Sequence, residues 1–235
     1  EIGSGLVGSE MCIRDRVFGE DVYQRTLDIM VPFLASIREE TGVTLSDLNL
    51  GGGYGVRYTQ EDEAIDIPAR LAELAAYLKE ETERLDLPMP RFLMEPGRSI
   101  VADAGMTLYT VGSVKRIPGY KQYAAVDGGM TDNPRYALYQ SRYTVYHAHK
   151  SGSMERFDVV GRCCESGDII QPGVELPGDT CRGDILAVCT TGAYNYSMAS
   201  NYNRLPRPAV VMLTPDRIYE AVRRETFADL TGLDL

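Results

Sequence analysis

The chain has 235 residues, with 24 Lys+Arg against 34 Asp+Glu and a formal charge of −10 at pH 7. Its 44% apolar and 25% charged residues suit a soluble globular chain with a sizeable core and exclude disorder as the main state. At a pI near 4.8 it builds no cationic face for nucleic acid or an anionic membrane, and no apolar run approaches the roughly 20 residues that span a bilayer.

The five cysteines, at 12, 163, 164, 181 and 189, are odd in number and lack CxxC spacing, which speaks against a disulfide framework and a zinc knuckle. No secretory leader pattern is visible, so a reducing, cytoplasmic setting is expected. Arginine supplies 20 of the 24 basic residues, with lysine only at 79, 115, 121 and 150.

Residues 1–16 fit no clean periodicity and read as a non-native leader. From Asp21, the apolar positions Val22, Leu27, Ile29, Met30, Phe33, Leu34 and Ile37 recur at three- and four-residue steps and predict a helix closed by Gly42. Leu48-Asn49-Leu50 reads as a short buried strand entering Gly51-Gly52-Gly53-Tyr54-Gly55. A second helix is predicted over 68–85, with Leu71, Leu74, Ala75 and Leu78 on one face, and Phe92-Leu93-Met94 as another strand ending in Glu95-Pro96-Gly97-Arg98. Alternating helices and strands through residue 98 imply a parallel α/β layout.

After Gly105 the texture changes. Short strand-like runs at 106–114, 123–126, 143–147, 157–160 and 185–188 are separated by Gly, Pro and Asp clusters, which predicts an antiparallel β-domain. Residues 215–227 are read as one helix near the C-terminus. The resulting division is 1–16 leader, 17–105 α/β, and 106–235 β-domain with a terminal helix.

Several segments carry chemistry. A triple glycine after a buried strand lets successive N–H groups converge on an anion, so it is a phosphate cradle or an ordinary tight turn. No Walker lysine or G-x-G-x-x-G spacing accompanies it, which disfavours ATP and dinucleotides. Glu95-Pro96-Gly97-Arg98 holds a heterocycle nitrogen and an anion, or forms a structural ion pair. Cys163-Cys164-Glu165-Ser166-Gly167-Asp168 sets a thiol beside a carboxylate, for proton donation or nucleophilic attack, or simply buries two small side chains. The run Asp127 to Tyr139 joins glycines to Arg135 and two tyrosines, a set suited to a substrate carboxylate. His147 and His149 are expected on one solvated strand face, too few for a metal site, and no hydrolase triad or metal cluster is read.

In this order GGGYG, EPGR, AVDGGMTDNPRYALY, CCESGD and GAYNYSMASNYN resemble the diaminopimelate decarboxylases, fold-type III pyridoxal 5'-phosphate enzymes that turn meso-diaminopimelate into L-lysine and CO2. The likeness runs from about residue 20 to 213, and Ile2-Gly3-Ser4-Gly5 looks like one more family motif. It implies the C-terminal part of an alanine racemase-like (β/α)8 barrel (17–105, pyridoxal-phosphate-binding) followed by an antiparallel β-domain. It also implies that Ser4, Gly52, Gly53 and the Gly97-Arg98 backbone cradle the cofactor phosphate, next to Pro96. Glu95 would pair with the pyridinium nitrogen, which strengthens the ring as an electron sink. Arg98, Arg135 and Tyr139 would bind the distal end of the substrate, Glu165 its distal ammonium, and Tyr194 both substrate and cofactor. Cys164 would be the proton donor. A homodimer with active sites shared between subunits is implied.

The family's Schiff-base lysine lies in a motif resembling YAxKAN, which surrounds none of the four lysines here, and Glu1 stands where the family has a ring-stacking histidine. The chain therefore reads as a C-terminal fragment, inactive by itself. Ornithine, arginine or carboxynorspermidine decarboxylases are the rival within the fold, distinguished by an aspartate in place of the Cys-Glu-Ser loop. A non-catalytic dimerising homologue is the rival outside it.

Overall fold

The computed structural model describes residues 22–235; the expected leader, Ser4 and Glu1 lie outside the described residues. The chain divides into two compact units, the first ending at Val101 and the second running Ala102–Leu235.

In the first unit, α1 spans Val22–Thr41 and ends where Gly42 takes a left-handed φ of 74° and donates back to the Arg38 carbonyl at 2.9 Å. Its buried stripe is Tyr23, Leu27, Val31 and Leu34. Ile29 (70% exposed) and Phe33 (47%) face away, so the expected apolar face is corrected toward the Tyr23–Val31 side. Helix α2, Ile67–Arg84, starts where the Asp66 carboxylate accepts from Ala69 N at 3.1 Å, a cap for an otherwise orphaned donor. Strands β1 (Asp47–Asn49) and β2 (Arg91–Leu93) pair in parallel, Leu48 opposite Phe92. Leu27, Val31, Leu48, Leu50, Leu74 and Leu78 form one core, each fully buried side chain contributing roughly 1.5–3 kcal/mol relative to exposure. These two strands and their helices do not close a barrel among the described residues. A four-residue helix, α3 (Arg98–Val101), ends the unit.

The second unit is built on a six-stranded sheet: β3 (Met106–Ile117), β4 (Lys121–Val126), β5 (Val145–His147), β6 (Met154–Val160), β7 (Ile169–Pro177) and β8 (Ile185–Cys189). Their order is β5-β8-β3-β4-β6-β7. The sheet is mixed, which corrects the expectation of a purely antiparallel domain. β4 and β6 run parallel, Tyr123 opposite Asp158, because the long segment between them supplies the crossover a parallel pair needs. Edge strands β5 and β7 approach each other, and Tyr143 N donates to Gln171 Oε1 at 2.8 Å, curling the sheet nearly into a barrel around Val111, Phe157, Val159, Ile170, Leu176 and Leu186.

Helix α4, Arg135–Tyr139, interrupts the segment between β4 and β5. The helix expected over 215–227 is also corrected. β9 (Val210–Leu213) and β10 (Ile218–Val222) form a separate antiparallel hairpin, and the terminal helix α5 is only Phe227–Thr231, opened by a Thr226–Asp229 capping box. No helix among the described residues is long and apolar enough to cross a membrane.

Candidate active site

The first unit carries one loop cluster. Backbone pairing continues past the strands, Leu50 N to Leu93 O at 3.1 Å and Glu95 N to Gly51 O at 2.7 Å, so the triple glycine lies directly against Glu95. A Cβ on Gly52 would sit 2.1 Å from the Glu95 carbonyl oxygen, which leaves glycine as the residue that fits. Gly51 (φ 71°) and Gly53 (φ 106°) take positive φ on either side of it, backbone that favours glycine.

Side chains brace this turn. Tyr23 donates its hydroxyl to Gly52 O at 2.8 Å and packs on Tyr54 with ring centroids 4.8 Å apart. Burial, then the neighbouring Tyr54, pushes the Tyr23 phenol above its ordinary range. Asn49 accepts from Gly51 N at 2.8 Å and donates to Glu95 Oε1 at 2.7 Å, which fixes the exposed Glu95 carboxylate. Pro96 is exposed, Gly97 half-buried, and Arg98 buried with its guanidinium on the hydroxyl and over the ring of Tyr58, 5.5 Å from the centroid. Tyr58 is a neighbour that the motif reading missed.

The second unit carries two further clusters. Arg135, 1% exposed, has its guanidinium carbon 5.2 Å from the Tyr139 ring and 6.0 Å from the Tyr194 ring, so three expected substrate-binding residues come together. Both tyrosines are exposed at the surface of this cluster. Asn133, buried beside them in sequence, has both amide atoms without a hydrogen-bond partner. Its depth gave no signal in the sequence.

The other cluster is the loop after β6. Cys164 and Glu165 are exposed, Cys163 half-buried. Gly167 N and Ser166 Oγ donate to Glu165 Oε1 at 3.3 and 3.2 Å, and these bonds hold its carboxyl below the ordinary range, so it is an anion at neutral pH. Tyr202 donates to Glu165 Oε2 at 3.4 Å, and the nearby carboxylate pushes the phenol upward. Burial and then Asp168 raise the Cys163 thiol. Tyr202 lies in a sequence loop already singled out, but its pairing with Glu165 needed the fold.

The histidines depart from expectation. The His147 side chain is 2% exposed, its Nδ1 accepts from Lys150 N at 2.9 Å, and Nε2 lies 3.1 Å from Asp184 Oδ2 without the alignment of a hydrogen bond. It is a buried anchor for the turn after β5 rather than part of a solvated face, and His149 lies beyond the strand. Among the described residues no three His, Cys, Asp or Glu side chains converge as a metal site.

Within the second unit, a thiol beside an anchored carboxylate and an aromatic-flanked arginine are groups able to move a proton and to hold charged groups; the first unit separately carries the glycine turn against Glu95. Residues 16–192 match the family described as pyridoxal-dependent decarboxylase, C-terminal sheet domain, and the chain belongs to that family. Its mixed, nearly closed sheet is of the type that such domains have.

Within the family the similarity is to diaminopimelate decarboxylases. The chain is 43% identical over 232 residues to the Bacillus subtilis enzyme, covering 98% of this chain and 53% of that one. It is 38% identical over 226 residues to the Staphylococcus aureus enzyme, covering 96% and 53%. The chain thus spans about half the length of the curated relatives it matches. Among solved structures, the Helicobacter pylori diaminopimelate decarboxylase complexed with L-lysine superposes with a TM-score of 0.80 at 31% identity, over 93% of this chain and 52% of that one. A lysine/ornithine decarboxylase from Vibrio vulnificus complexed with cadaverine gives 0.68 at 25% identity, over 80% and 49%.

Proposed function

We propose that these residues form the C-terminal half of a cytoplasmic, homodimeric meso-diaminopimelate decarboxylase that uses pyridoxal 5'-phosphate and yields L-lysine and CO2. On this reading the first unit is part of a (β/α)8 barrel, and the active site draws on both subunits. The observation that carries it is the loop that sets the exposed Cys164 thiol next to the ionised, twice-anchored Glu165. A glutamate there suits a distal ammonium and the Arg135–Tyr139 pair suits a distal carboxylate; diaminopimelate carries both at its distal carbon, whereas ornithine carries the ammonium alone.

The residues present fit the cofactor. The turn at Gly51–Gly53, with positive φ on both sides of Gly52, would take a phosphate through backbone N–H groups, a role in which Ser4 and Gly97 would share. Glu95, held by Asn49, presents a carboxylate for a protonated ring nitrogen. Bound pyridoxal phosphate supplies an electron sink for the bond that releases CO2. Arg98 and Arg135 hold substrate carboxylate, Glu165 holds the distal ammonium, and Tyr194 covers the reacting end. Cys164 Sγ then gives its proton to the carbon that has lost CO2.

Three of the four lysines are already in ion pairs: Lys79 with Glu83, Lys121 with Asp158 and Lys150 with Asp184. This supports assigning the family's covalent lysine to sequence other than these residues, so the 235-residue chain alone is expected not to turn over.

The test is CO2 release from meso-diaminopimelate by the complete polypeptide carrying these residues, with cofactor added, beside its Cys164→Ala variant. Turnover is expected to fall at least about 100-fold in the variant, the scale of a lost general acid. Faster turnover of ornithine than of diaminopimelate by the unmodified protein would overturn the substrate assignment.

A further inference from the structure

One buried acid has no part in that chemistry. Asp168, 4% exposed, closes the loop after β6. Its Oδ1 accepts from Met130 N and its Oδ2 from Cys163 N, both at 2.6 Å. The Asp168 main chain ties the same loop to itself: its carbonyl accepts from Gly161 N at 2.9 Å, and its N–H donates to the Glu165 carbonyl at 3.1 Å. A parallel strut, Arg162 N to Gly128 O at 3.2 Å, joins the loop to the glycine turn after β4.

The surroundings leave the carboxylate no second position. A Cβ on Gly161 would lie 2.2 Å from Asp168 Oδ1, and one on Gly129 2.3 Å from the same atom. Charge-assisted bonds from backbone N–H to a carboxylate are short and roughly twice as strong as neutral ones. The two amides belong to different segments. One precedes Cys164 directly, and the other lies five residues before Arg135 on the turn that leads into α4.

We propose that Asp168 is a positioning residue, a single buried carboxylate that locks the Cys164–Glu165 loop to the 127–135 segment and so sets the distance between thiol and arginine. Two oxygens of one rigid group, rather than two separate side chains, fix both segments at once. Neutralising the group leaves one amide facing an N–H₂ instead of an acceptor, so one segment must let go. The consequence for turnover rests on the reading of Cys164 as proton donor; the clasp itself does not.

The test uses the complete polypeptide, its Asp168→Asn variant, and Gly161→Ala, which crowds the carboxylate while keeping its charge. Iodoacetamide labelling, mapped by tandem mass spectrometry, gives the ratio of rates at Cys164 and Cys163, and kcat is measured per folded, cofactor-loaded site. In the unmodified protein Cys164 is expected to react at least about 10-fold faster than Cys163, because only the first is exposed. Both substitutions should compress that ratio to below about 3-fold and lower kcat by about 10-fold or more, the cost of a donor displaced by about an ångström.

A lower melting temperature with ratio and per-site kcat unchanged would make Asp168 merely structural and overturn the proposal. A compressed ratio in a protein inactive on diaminopimelate would uphold the clasp and overturn the substrate reading. An unchanged ratio in an active protein would do the reverse. If Asp168→Asn does not fold, Gly161→Ala decides alone.

Discussion

Two glycine turns in this chain are made rigid by opposite means. In the first unit Gly52 lies against backbone, the Glu95 carbonyl, and the braces around it are the uncharged Tyr23 and Asn49. In the second unit Gly128 and Gly129 lie between side chains. Tyr109 and Asp132 stand on one side, and Asp168 on the other. Gly129 N donates to Asp132 Oδ1 at 2.9 Å, and Tyr109 donates its hydroxyl to Asp132 Oδ2 at 2.5 Å. A turn held by backbone contact is indifferent to pH. One held between two buried carboxylates is not, and the Asp132 carboxyl is raised by burial against the donors that pull it down, with Asp168 adding repulsion.

The largest expected effect breaks the first turn. Gly52→Ala places a methyl 2.1 Å from the carbonyl of Glu95, whose own N–H is bonded to Gly51 O, so the backbone has to move. A loss of about 3 kcal/mol is expected in urea denaturation, together with weaker cofactor uptake.

Next in size is Tyr109→Phe, which leaves the buried Asp132 short of one donor and should cost about 1–3 kcal/mol. Its pH dependence sharpens the contrast. Folded Asp132 binds its proton more tightly than the unfolded chain does, so its contribution favours folding at low pH and declines as pH rises from 3.8 through the raised value. Without the Tyr109 hydroxyl the group rises further, so stability measured across this range should decline more steeply than in the unmodified chain.

The smallest effect lies outside both turns. Glu225, bonded to Arg207, is drawn down from 4.5 to about 2 by the Arg207 side chain and backbone and by Asn201. Its contribution is complete above pH 4.5 and disappears as pH falls toward 2. Glu225→Gln should change stability by under about 1 kcal/mol and less in high salt, since Arg207 is partly exposed.

Much of this architecture was legible in the residues. The 3.6-residue period gave both long helices to within a residue or two, and the glycine and EPGR segments fell at strand ends as their composition requires. The buried side of α1 was not legible, because Ile29 and Phe33 are as apolar as the Tyr23 and Val31 that pack inward. β7 was hidden by Pro172, Gly173 and Pro177, which read as punctuation yet sit on a sheet edge, where a missing donor is tolerated.

The 215–227 segment misled because Ile218 and Val222 also fit a helical step, while Ile, Tyr and Val favour the pleated hairpin they form. At the candidate site, sequence order placed Cys164, Glu165, Arg135 and Tyr194 in motifs. Nothing local said that Arg135 is buried, that Tyr202 reaches Glu165, or that Asp168 faces two segments, because depth and long-range pairing arise only from the closed sheet.

The stretch from 190 to 204 holds four non-glycine residues in left-handed backbone: Thr190 (φ 59°), Tyr194 (65°), Asn203 (55°) and Arg204 (54°). Each such residue costs on the order of 1 kcal/mol relative to glycine, most of all a β-branched one such as Thr190. The loop that presents Tyr194 and Tyr202 is therefore also where thermostability can most readily be engineered. Glycine at Arg204 removes strain without touching either aromatic ring, at the cost of the surface ion pair with Asp234, whereas glycine at Tyr194 removes the same strain together with the ring that covers Arg135. Selecting for durability and preserving the aromatic cover of Arg135 would thus favour different residues within the same fifteen-residue loop.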